Sequence, residues 1–127
     1  MVKNFIPERG DIIFLGFNPQ QGKEQAGRRP AIVLSAGQYN AKVGLVICCP
    51  ITKQMKGYPF EVVLPGSLKT KGVILVDQIK SMDFRARGVI FIEKMPLQTL
   101  GEVLRKLGIL LMTNMIQQPM HNEWNSK

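Results

Sequence analysis

The segment Gly22-Lys23-Glu24-Gln25-Ala26-Gly27-Arg28-Arg29-Pro30 places one carboxylate and two guanidiniums in a loop bracketed by glycines. Loops held between rigid strands commonly carry binding and catalytic groups, and glycine opens backbone geometries that other residues resist. A guanidinium presents a planar fork of donors that matches phosphate oxygens and keeps its charge at every relevant pH. Arg29 is therefore suited to stabilising charge on a phosphate; its other reading is a strand-edge arginine that binds a partner loop. Glu24 can accept a proton if the fold returns it toward Arg29, and is otherwise a solvated loop carboxylate. Thr52 closes the run Pro50-Ile51-Thr52, where its hydroxyl can both donate and accept, although threonine is also an ordinary strand residue.

These residue types fit cleavage of RNA by its own 2′-hydroxyl. That reaction needs a proton acceptor, a proton donor and charge stabilisation on the phosphoryl oxygens, but neither a metal nor water as nucleophile. A pair of histidines is the familiar device, and this chain has a single histidine, His121, in a polar tail. Proton transfer must then fall to carboxylate, arginine, lysine or water. Lys53-Gln54-Met55-Lys56-Gly57-Tyr58 forms a second basic loop. Tyr58 can stack on an unstacked base and Gln54 can hydrogen-bond one, as single-stranded RNA recognition requires, or the tyrosine ring can pack under Pro59.

The whole composition agrees with a polyanionic ligand. Among 127 residues, 17 Lys and Arg stand against 9 Asp and Glu, a net charge of +8 with a pI near 9.8. Such a surplus favours phosphate-rich partners through counterion release, without by itself separating RNA from DNA, acidic membrane or acidic protein. The length suits one domain with one core. No secretory or membrane-spanning apolar stretch is apparent, so a cytoplasmic protein is expected, with no membrane partner. Cys48 and Cys49, as neighbours in a strand, point to opposite faces and should not pair with each other. No cofactor and no metal site is expected, since further Cys or His ligands at suitable spacing are missing.

Strand-like runs that could position these loops occur over 11–17, 31–35, 44–51, 60–64, 72–76 and 89–93, separated by turn signals such as Asn18-Pro19 and Pro65-Gly66. From Pro96 the period changes to a helical one, with Leu97, Leu100, Val103, Leu104, Leu107, Leu110 and Leu111 on a stripe and Pro96 suited to the first turn. Asp83 is placed to cap a short helical turn before Arg87. The expected fold is mainly β (α+β), a small barrel with short helices and a C-terminal helix. Residues 1–112 form the domain and 113–127 a polar, flexible tail.

Taken together, the 22–30 loop, Ala31-Ile32-Val33-Leu34-Ser35, Pro50-Ile51-Thr52, Lys56-Gly57-Tyr58-Pro59-Phe60-Glu61-Val62, Asp77-Gln78-Ile79-Lys80-Ser81 and Arg85-Ala86-Arg87-Gly88 resemble the MazF/PemK family of toxin endoribonucleases, from about Asn4 to Met112. The resemblance implies an SH3-like, CcdB-type barrel acting as a homodimer. It implies metal-independent, sequence-specific cleavage of single-stranded RNA to 2′,3′-cyclic phosphate and 5′-hydroxyl ends, and silencing by a cognate MazE-like antitoxin in a toxin–antitoxin hetero-oligomer.

It also implies residue roles. Arg29 and Thr52 are at the cleaved phosphate, with Glu24 as a catalytic candidate. Arg28, Lys53, Gln54, Lys56, Tyr58, Asp77, Gln78, Lys80, Arg85 and Arg87 are on the RNA-binding surface. One branch of the family carries a catalytic arginine two residues before the aspartate, where this chain has Leu75, so the resemblance is to the MazF-like branch. Two rival functions are a non-catalytic nucleic-acid-binding barrel and a gyrase-poisoning toxin of the CcdB kind, for which Trp124 invites comparison.

Overall fold

The computed structural model describes residues 5–16 and 28–113. Seven strands and three helices follow in the order β1 (Asp11–Gly16), β2 (Arg28–Val33), α1 (Gly37–Val43), β3 (Leu45–Thr52), β4 (Glu61–Val63), β5 (Val73–Leu75), β6 (Lys80–Asp83), α2 (Phe84–Arg87), β7 (Val89–Lys94) and α3 (Leu97–Met112). All pairings are antiparallel along β4-β5-β3-β2-β1-β7, with β6 branching from β3. The architecture is mainly β with helices added, as the alternation of short apolar runs predicts.

Strand β3 is the hub. One edge pairs with β2, while the other is shared by β6 at Leu45–Cys48 and β5 at Ile51–Thr52. Side chains alternate across the pleat and so build two apolar clusters. Ile12, Ile32, Cys49, Ile51 and Ile74 lie in the first, which α3 covers with Leu100, Val103 and Leu107. Ile13, Leu15, Ala31, Val33, Val46 and Cys48 lie in the second, closed by Met82 and Phe84. Cys48 and Cys49 thus face opposite ways, and both are free thiols.

Two elements are additions to the sequence reading. Helix α1 has only seven residues; it ends on Gly44 in the left-handed region, and Asn40 anchors it, its amide donating to the Pro7 and Ser35 carbonyls and its Oδ1 accepting from Ser35 Oγ. Strand β6 exposes Lys80, Ser81 and Asp83 and buries Met82 alone, so its pattern is too polar to announce a strand. Asp83 caps α2 as expected, its Oδ1 accepting from the Ala86 amide at 2.9 Å. Pro96 stands at the N-cap of α3, one position earlier than the first turn.

Candidate functional site

Arg29 enters on β2 opposite Leu15, and Thr52 leaves on β3 opposite Val73. The β2–β3 register pairs Ala31 with Pro50 and Ile32 with Cys49; Arg29 and Thr52 lie two residues beyond it on their strands, and both line one pocket. Lys80 is paired with Cys48, and the charges of Lys80 and Arg87 both act on the Cys48 thiol.

A pocket of about 560 Å³ opens where β2 begins and β3 ends, lined by Phe14, Arg29, Pro30, Ile51, Thr52, Lys53, Lys69, Thr70, Lys71 and Ile92. Phe14 is paired with Pro30, so the floor is a short apolar row across adjacent strands. Among the described residues, four cations and two hydroxyls surround it, with no carboxylate in the lining. Such a cavity suits an anionic ligand with apolar or aromatic parts.

The loop after β3 is folded against Glu61, whose carboxylate accepts from the Lys56 and Gly57 amides at 3.1 and 2.9 Å. Thr52 Oγ1 accepts from the Gln54 amide at 3.2 Å, which leaves its hydroxyl hydrogen available to donate. Tyr58 is 59% exposed, with the Lys56 ammonium 5.9 Å from its ring centre. Its ring is thus presented to solvent and not packed under Pro59.

The remaining predicted residues divide. Asp77 and Gln78 sit exposed on the 3-10 turn Val76–Gln78, outside the pocket lining, while the Asp77 charge acts on Cys49. The α2 backbone turns Arg85 and Arg87 apart. Arg85 donates to the Ala41 carbonyl at 2.8 Å and stacks on Phe84, tying α2 to α1. Arg87 donates to the Gly16 carbonyl at 3.0 Å, where β1 leads into the 17–27 segment. Glu24 and the Arg28 side chain lie outside the described residues, as do His121, Trp124 and the rest of the tail beyond 113.

Sequence reasoning missed Lys69, Thr70 and Lys71. Their loop reaches the pocket through two devices. Strand β7 slips by one residue against β1 between Ile12 and Ile13, leaving Ile92 as a bulge, so that Ile92 and Glu93 share the side of the first cluster. Glu93 then accepts from the Lys69 amide at 3.1 Å, the Thr70 amide at 2.8 Å and the Thr70 hydroxyl at 2.7 Å. Burial works to raise the Glu93 pKa, but these hydrogen bonds from Thr70 and Lys69, with the Lys69 charge, hold it below the ordinary value. At the other end Gly72, at φ +122°, passes over Thr52 and Lys53. The basic pair flanking a threonine just before a glycine is the one signal that could have drawn attention to this loop.

Among the described residues no three His, Cys, Asp or Glu side chains gather as they would round a metal ion. No helix among them is long and apolar enough to cross a membrane.

Residues 8–111 match the family of PemK-like, MazF-like toxins of type II toxin–antitoxin systems. The chain is 46% identical over 111 residues to the endoribonuclease toxin MazF of Escherichia coli K12, covering 87% of this chain and 99% of that protein. It is 32% identical over 108 residues to the Escherichia coli endoribonuclease PemK, covering 82% and 81%. A crystal structure of MazE–MazF from Deinococcus radiodurans superposes with a TM-score of 0.78 at 46% identity, over 84% of this chain and 97% of that one. The chain belongs to the family of PemK-like, MazF-like toxins.

Proposed function

We propose that this chain is the toxin of a type II toxin–antitoxin pair and a sequence-specific, metal-independent endoribonuclease of single-stranded RNA. The presence of Arg29 and Thr52 together in the lining of a cation-rich pocket is the observation that supports the chemical reading. The RNA 2′-oxygen attacks the adjacent phosphorus as the bond to the 5′-oxygen breaks, leaving 2′,3′-cyclic phosphate and 5′-hydroxyl ends. The Arg29 guanidinium stabilises the charge that grows on the phosphoryl oxygens, and the Thr52 hydroxyl donates to one of them. Glu24 is the candidate acceptor of the 2′-hydroxyl proton, and the departing 5′-oxygen takes a proton from water to become the 5′-hydroxyl. Exposed Tyr58 and Gln54 on the loop after β3 read bases, while Lys53, Lys56, Lys80 and Arg87 hold the backbone.

Residues 1–112 form the toxin domain and 113–127 an appendage to it, and the setting is cytoplasmic. The solved MazE–MazF structures from Deinococcus radiodurans support an antitoxin partner here as well. The toxin acts as a homodimer. Leu97, Leu104 and Leu111 are exposed at seven-residue spacing on α3, an apolar row of the kind that protein partners cover.

The test is to incubate the purified chain with a mixed-sequence RNA in excess chelator and map the ends. Cleavage that persists, with ends that accept a kinase label without prior phosphatase, is the expected result. Products with 5′-phosphate, or activity restored only by a divalent cation, would replace this mechanism by a metal-dependent one.

A further inference from the structure

We propose that the Lys69–Lys71 loop is a second phosphate-binding element of the site, with Lys69 taking an RNA backbone phosphate other than the cleaved one and Glu93 acting as the positioning residue that holds the loop in place. The inference rests on the RNA-cleaving reading above and extends it to residues that no motif marks.

Three observations meet at this loop. The pocket that Arg29 and Thr52 line is also lined by Lys69, Thr70 and Lys71, so a strand lying across the apolar floor meets cations from separate segments of the chain. The two lysines are not equivalent. Lys71 is committed to the loop itself, its ammonium donating to the Gly66 carbonyl at 3.0 Å and the Leu68 carbonyl at 2.7 Å. Lys69 is hydrogen-bonded through its backbone amide alone, its charge acts on the Glu93 carboxylate, and its side chain is exposed.

The loop is also fixed relative to the catalytic pair. Strands β4 and β7 are the two ends of the ladder, and the Glu93 carboxylate spans from β7 to the β4–β5 connection with three hydrogen bonds. The bulge at Ile92 makes this reach possible, since an unbroken alternation would turn Glu93 to the opposite side. Gly72 brings the loop's other end against the backbone of Thr52 and Lys53. A phosphate bound at Lys69 is therefore at a set distance from one bound at Arg29 and Thr52, which turns a basic loop into a register for the strand.

The experiment uses the full chain and a short single-stranded RNA carrying a 2′-deoxy nucleotide at the mapped cleavage position, with affinity measured across a salt series. Each lost phosphate contact should lower the slope of log affinity against log salt by about 0.7 for a single strand. Lys69→Ala is expected to show that change, and on cleavable RNA its loss should fall on KM more than on kcat. Glu93→Ala should reproduce both effects through the loop, and Glu93→Gln, which keeps one acceptor oxygen, should recover part of the binding. Lys42→Ala, on α1 at the far end of β3, is the charge-matched control. Urea midpoints report whether Glu93→Ala folds; if it does not, Lys69→Ala decides the matter alone. A Lys69→Ala chain with the parental slope and KM, while the parent cuts RNA, overturns this inference and leaves the cleavage reading standing. A parent that cuts no RNA overturns both.

Discussion

Gly72 runs so close to Thr52 that a Cβ at position 72 would overlap the Thr52 carbonyl oxygen, and its φ of +122° is one that other residues rarely adopt. The end of β3, which carries Thr52, and the start of β5, which carries the Lys69–Lys71 loop, are thus set against each other by the absence of a side chain. Gly72→Ala should cost about 1–3 kcal/mol from backbone strain alone, with the overlap adding to it. Urea unfolding should show a lower midpoint, and RNA cleavage should fall further than Arg-independent folding loss explains, because Thr52 is displaced.

Arg29→Ala and Thr52→Ala should each slow cleavage by about 100-fold or more while leaving the fold intact, as removal of a donor aimed at transition-state charge typically does. Single-turnover rates with the urea midpoint as a folding check measure this. Two folded variants that cut at near the parental rate would move the site elsewhere.

Both cysteines should resist alkylation in the native protein near neutral pH and label fully in urea. Burial pushes the Cys48 thiol up to about 11, with the Lys80 and Arg87 charges opposing it, and burial, aided by Cys48 and Asp77, pushes Cys49 up to about 12. A thiol that binds its proton more tightly when folded stabilises the native state in full below its unfolded value of 9.0 and loses that contribution as pH rises through 11 and 12. Stability should accordingly decline above pH 9, and Cys48→Ala should flatten part of that decline in a pH series of unfolding midpoints.

Asp83→Ala removes the cap of α2, and loss of an N-cap carboxylate costs roughly 0.5–2 kcal/mol. Since α2 carries both Arg85 and Arg87, RNA binding should weaken with it. Asp83→Asn, which keeps the acceptor, should behave like the parent in both unfolding and binding titrations.

An acidic antitoxin segment should displace RNA from the basic surface, with association that slows as salt rises, because opposite charges steer the encounter. Competition between such a peptide and a non-cleavable RNA, followed by fluorescence, measures it. Simultaneous saturation by both would place the antitoxin on a separate surface.

The sequence by itself determined most of the strands, the closing helix and the residue types at Arg29 and Thr52 that suit a phosphate. Each of those follows from local rules: short apolar runs bounded by turn residues mark β1, β2, β3 and β7, the helically spaced stripe from Leu97 to Leu111 marks α3, and an arginine and a threonine at strand ends are read from their own neighbours. It also placed Cys48 and Cys49 on opposite faces, because the pleat alone requires it. Strand β6 and helix α1 escaped it, since a strand with one buried side chain and a seven-residue helix held by Asn40 have almost no periodicity of their own. Only the tertiary structure decided that Tyr58 is presented outward, that Arg85 is spent on Ala41, and that Lys69–Lys71 joins the pocket. Those outcomes depend on the register between strands far apart in the chain and on the single residue of slip at Ile92, and neither a loop's composition nor its neighbours encode where a distant strand will carry it.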